Sequence, residues 1–137
     1  MRIVVAEDDA HLLRVISMWL ERNGCEVHQA HNGREGLELV LHEQPDILIT
    51  DVNMPEMDGV TLVREVLDQV QYPLGVIVLS CRVDMVGIGT ELGDERVLHH
   101  AKPFSPTRLI EEVRELHEHV MKSGTRRSGA STKSEWE

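Results

Sequence analysis

The chain has 137 residues, 41% hydrophobic and 28% charged, with 24 acidic against 14 basic side chains and a formal net charge of −10. That length suits one domain with a sizeable core, and the acidic balance argues against direct contact with nucleic acid. No apolar run approaches the roughly 20 residues of a membrane span. The N-terminus enters Ile3-Val4-Val5 too early for a signal peptide, and Cys25 and Cys81 lack metal-ligand spacing, which together fit a reduced, cytoplasmic protein.

Ile3-Val4-Val5-Ala6 is a short apolar run ended by Glu7-Asp8-Asp9. Leu12, Val15, Ile16, Trp19 and Leu20 then recur at helical spacing until Asn23-Gly24 stops the pattern. Glu26 to Ala30 reads as a more polar strand, suited to a sheet edge. Asn32-Gly33 opens a helix with Leu37, Val40 and Leu41 on one face, and Pro45 prevents its continuation. Ile47-Leu48-Ile49 begins a strand that ends on the carboxylate of Asp51, before a loop punctuated by Pro55 and Gly59. Asp58 caps a helix carrying Val63, Val66, Leu67 and Val70. Tyr72-Pro73 breaks it, and Val76-Ile77-Val78-Leu79 is a buried-type strand ending on Ser80.

Residues 81 to 95 hold Gly87, Gly89 and Gly93, each costing about 1 kcal/mol relative to Ala inside a helix, so the fourth helix is expected to be short or irregular. Arg96 to Ala101 supplies a fifth strand, polar enough for the other edge. Ser105-Pro106 is a cap followed by proline at the first helical position, and Leu109, Val113, Leu116 and Val120 continue that helix. From Lys122 the composition turns to Ser, Gly, Thr and basic residues, so residues 1–121 are read as the folded domain and 122–137 as a flexible tail.

Five strands alternating with five helices imply a doubly wound, parallel α/β sheet. Order 2-1-3-4-5, the established order of flavodoxin-like sheets, puts both polar strands at the edges and the switch point beside Asp8 and Asp51. Glu7-Asp8, Asp51, Ser80 and Lys102 then fall on one sheet edge. Each has an ordinary reading alone: a solvated turn, a cap, a turn hydroxyl, a solvated lysine. Together, three carboxylates would raise one another's pKa unless a cation intervenes, and Mg²⁺, with oxygen ligands and several retained waters, answers that need. A carboxylate can attack phosphorus to give an aspartyl phosphate. Alignment and charge neutralisation are the main requirements, and Lys102 and Ser80 supply them.

These motifs resemble the receiver domain of two-component response regulators, the CheY-like family. Val4-Val5-Ala6-Glu7-Asp8-Asp9 is similar to its acidic pair, Asp51-Val-Asn-Met-Pro-Glu-Met-Asp-Gly59 to its phosphorylation strand and loop, and Lys102-Pro103-Phe104 to its lysine motif. The resemblance implies that Asp51 accepts a phosphoryl group from a sensor histidine kinase or phosphotransfer protein. It implies Mg²⁺ held by Glu7, Asp8, Asp51 and the backbone carbonyl of Asn53, with Ser80 and Lys102 on the phosphoryl oxygens. It also implies a cis peptide bond before Pro103, lifetime tuning by Asn53 and Arg82, and no turnover of external substrates. Output would pass to a downstream protein target, or to a homodimer, through the face of helix four, strand five and helix five.

The chain departs from the pattern in three places. His99 stands where the family has Tyr or Phe as a switch residue; an ordinary histidine titrates near neutrality, so the expectation is weaker or pH-sensitive coupling, and its plain alternative is an exposed edge histidine. Cys81 replaces a small residue and reads as a small buried hydrophobe. The three glycines put the usual output face in question. A phosphorylation-independent pseudo-receiver is therefore the main alternative. A phosphohydrolase would want a second Asp where Asn53 stands, and a flavin protein would want a phosphate-cradling loop where Glu7 and Asp8 stand.

Overall fold

The computed structural model describes residues 1–80, 94–102 and 105–128, with side chains to residue 122. β1 (Arg2–Ala6), β2 (Glu26–Ala30), β3 (Ile47–Asp51), β4 (Gly75–Ser80) and β5 (Val97–Ala101) form one sheet in the order β2-β1-β3-β4-β5. Every pairing is parallel. α1 (Ala10–Arg22), α2 (Gly33–Glu43), α3 (Gly59–Gln69) and α4 (Pro106–Ser128) are the helices among the described residues. The fourth helix expected within residues 81 to 95 falls largely outside the described residues; Asp94–Arg96 is a turn closed by Val97 N–H to the Asp94 carbonyl at 3.0 Å.

Alternation along the strands divides the core into two layers. Ile3, Val5, Ile47, Ile49, Ile77 and Leu79 face α1 and α4, where Leu13, Ile16, Leu20, Leu109 and Val113 meet them. Val4, Ala6, Leu48, Val76 and Val78 face α2 and α3, against Val40, Leu62, Val63 and Val66. β3 and β4 are buried at every position, whereas β2 and β5 are only partly covered, as expected of edge strands. Burying each of the large aliphatic side chains contributes roughly 1.5–3 kcal/mol, so the central strands anchor the ends that follow them.

Local signals set the helix starts. Asp9 caps α1, its carboxylate accepting the N–H groups of His11 and Leu12 at 3.0 and 3.2 Å. Asn32 caps α2 through the Glu35 N–H and Asp58 caps α3 through the Thr61 N–H, each at 2.8 Å. The Ser105 carbonyl accepts the Leu109 N–H at 2.9 Å, with Pro106 at the first helical position. α4 keeps a helical backbone to Ser128, which covers the first residues of the basic stretch; its Lys and Arg are good helix formers and its backbone bonds need no tertiary partner.

Candidate functional site

The strands end at one edge of the sheet, and that edge carries the predicted groups. Glu7 follows β1 with its N–H on the Ala30 carbonyl at 3.0 Å, and its side chain is 1% exposed. Asp51 closes β3 and is buried, with Oδ1 accepting the Val52 N–H at 2.8 Å. Asp8 is exposed at the rim. Carboxylate oxygens of Glu7, Asp8 and Asp51 all lie within 4.8 Å of one another. From β5, the Lys102 ammonium stands 3.0 Å from Asp51 Oδ1 and 3.9 Å from Glu7 Oε1. Its backbone is fixed by an N–H bond to the Ser80 carbonyl at 2.9 Å.

Among the described residues three acids face one ammonium, and the electrostatics reflect it. Burial, the nearby Asp51 charge and an Asp51 hydrogen bond push the Glu7 carboxyl up to about 7, against the opposing Asp9 N–H and Lys102. At Lys102 burial disfavours the charge, but the Asp51 hydrogen bond and the charges of Asp51, Glu7 and Asp8 outweigh it and raise the ammonium's pKa. Glu7 Oε1 and Ser80 Oγ are both buried without a hydrogen-bond partner among the described residues. An all-oxygen cluster with an unmatched buried carboxylate atom fits a hard divalent cation held by Glu7, Asp8 and Asp51.

Gly59 makes the loop after β3 possible. Its N–H reaches the Val52 carbonyl at 2.7 Å, and a Cβ there would collide with the Asp51 carbonyl. Asn53 lies exposed two residues beyond Asp51. Ser80 pairs with Ala101 at the end of β4, and His99 lies opposite Val78. His99 is half-buried with Nδ1 unpartnered among the described residues, and burial lowers its pKa. The plain reading of an exposed edge histidine is thereby corrected: the ring is partly covered. Arg82, Cys81 and Pro103, with the cis bond expected before it, lie outside the described residues.

Two features were not foreseen in the sequence. Asp9, the third acid of the run, serves as a helix cap. His100, beside His99, is 3% exposed and bonded through Nδ1 to Glu112 of α4 at 2.6 Å. Alternation places these two histidines on opposite faces of β5, so one faces α4 and the other does not. A second group, Glu26, His28 and Glu43, is also close enough for a metal, but Arg2 already neutralises Glu26 at 2.8 Å and bonds the Glu43 carbonyl at 2.7 Å. That group ties β1, β2 and α2 together.

Among the described residues no helix is long and apolar enough to cross a membrane. The receiver domain of Francisella response regulator 1452 is similar, with 28% identity, a TM-score of 0.75, and coverage of 86% of this chain and 97% of that one. A response regulator receiver domain protein from Clostridium thermocellum matches at 26% identity and a TM-score of 0.79, over 86% and 94% of the two chains. The chemotaxis response regulator CheY4 of Vibrio cholerae matches at 28% identity and a TM-score of 0.74, over 84% and 97%. The family model of the response regulator receiver domain matches residues 3–114, and the chain belongs to that family.

Proposed function

We propose that Asp51 accepts a phosphoryl group from the phosphohistidine of a sensor kinase or phosphotransfer protein, and that the chain is a phosphorylation-driven switch. An Asp51 carboxylate oxygen attacks phosphorus; a P–O bond forms, the P–N bond breaks, and the imidazole leaves with the electron pair. The convergence of Lys102, Glu7 and Asp8 on Asp51 carries this reading. Glu7, Asp8, Asp51 and the Asn53 carbonyl would hold Mg²⁺, which supplies charge neutralisation for the phosphoryl oxygens when bound. Lys102 contributes a fixed cation already in contact with the acceptor. Ser80 offers a hydroxyl without a partner among the described residues, at the end of the neighbouring strand.

The new dianion gives Lys102 and Ser80 a stronger acceptor than a carboxylate, favouring a conformation in which both close on it. Ser80 pairs with Ala101 and its carbonyl holds the Lys102 N–H, so that closure acts on β5 and the α4 beside it, the face through which a downstream protein or a second copy would read the state. His99 sits on that strand as the switch residue, and Asn53 and Arg82 set the phosphoryl lifetime. The cytoplasmic setting expected from the cysteine usage is part of this reading. Incubation with Mg²⁺ and acetyl phosphate should add one phosphoryl mass, lost in Asp51→Asn and without Mg²⁺. A stable, Mg²⁺-binding protein that gains no mass, with rapid turnover excluded by kinetics, would point to an interaction module that works without phosphate.

A further inference from the structure

We propose that His100 is a positioning residue for the Asp51 chemistry: its imidazole braces the end of β5, which leads directly into Lys102, against α4. The inference rests on phosphoryl transfer to Asp51. His100 faces α4 from β5, opposite Leu79 of β4. Nδ1 lies 2.6 Å from Glu112 Oε1, and the Ser105 backbone N–H approaches Nε2 at 3.4 Å, a long bond. A backbone N–H can only donate, so Nε2 carries the lone pair and the proton sits on Nδ1, donated to the carboxylate. Arg108 holds the other Glu112 oxygen at 3.2 Å.

The ring therefore links β5, one residue before its last, to Ser105 at the start of α4, on either side of Lys102 in the sequence. Lys102 itself is held by its N–H on the Ser80 carbonyl at 2.9 Å, and the strand before it by His100 on Ser105. Lysine has a flexible stem, and this side chain is 31% exposed, so the position of its backbone matters to where the ammonium stands. Loss of the brace loosens that root, and small displacements of a catalytic group are costly in rate. An ordinary buried histidine would alter stability without acting through Lys102.

The test is a double-mutant cycle. His100→Asn keeps a donor for Glu112, so that carboxylate is not stranded, and loses the acceptor for Ser105; His100→Gln can retain that acceptor. With acetyl phosphate and Mg²⁺, the rate of Asp51 phosphorylation should fall about fivefold in His100→Asn, the weight of one hydrogen bond, and less in His100→Gln. In a Lys102→Ala background His100→Asn should have no further effect. An unchanged rate in a folded His100→Asn protein overturns the inference alone, as does an equal loss with and without Lys102. A wild-type protein that never takes the phosphoryl group overturns both the transfer reading and this inference.

Discussion

Replacing Glu7 with Gln should stabilise the metal-free protein at pH 8 and lose that advantage near pH 5. Glu7 is 1% exposed and its carboxyl is raised from 4.5 to about 7, first by burial and then by the Asp51 charge. Between those values the folded state binds the proton that the unfolded chain releases. The stability linked to this proton is complete below about pH 4.5 and is lost as pH rises through 7. A shift of this size corresponds to about 3 kcal/mol at most, or roughly 10 °C in melting temperature for a domain of this length. Glutamine keeps the shape and can donate to Asp51, as protonated Glu7 would, without ever ionising. Thermal melts of both proteins in EDTA at pH 8 and pH 5 isolate Glu7, because other titrations largely cancel in the difference. A gap of equal size at the two pH values, or a less stable variant at pH 8, would refute the charge argument. Mg²⁺ at pH 8 should raise the melting temperature of the wild-type protein.

Asp9→Ala should cost about 1 kcal/mol through loss of the α1 cap, while Mg²⁺ affinity, followed by calorimetry, stays at the wild-type value; a large loss of affinity would make Asp9 a ligand. Gly59→Ala should destabilise by about 2 kcal/mol or more in denaturant melts, since its Cβ meets the Asp51 carbonyl, and a neutral result would show that the loop can shift freely. Tyr72 is the one tyrosine of the chain, and burial followed by the nearby Asp46 charge pushes its phenol up to about 12. Absorbance at alkaline pH should therefore show no phenolate at pH 10 while the fold persists, and half-ionisation there would contradict the burial.

The strands and their order were legible because burial follows composition directly. Ile47–Ile49 and Val76–Leu79 are apolar runs within strands buried at every position, whereas the more polar Glu26–Ala30 and Val97–Ala101 occupy the edges. Asp58 and Asn32 acted as the caps their positions suggest. Less visible was the division of labour among neighbouring residues. Glu7, Asp8 and Asp9 read as one acidic run, yet the first is buried, the second exposed at the rim and the third a cap. His99 and His100 read as one polar edge, and only the alternation of β5 separates them. Glu112 lies three residues from Leu109 and four from Leu116 on the inward side of α4, so an acid on that stripe was the signal that something across from it would be polar.

The charge imbalance at the sheet edge links the stability of this domain to its chemistry. A folded core of aliphatic strands holds the Glu7 carboxyl beside Asp51, where burial and the Asp51 charge both oppose its ionisation. Lys102 offsets part of that cost but cannot match two buried acids and a third at the rim. Substituting Glu7 by its amide should relieve that opposition and weaken the cation site together. Stability gained by such a change and function lost by it thus have the same origin, the excess negative charge that a divalent cation would satisfy.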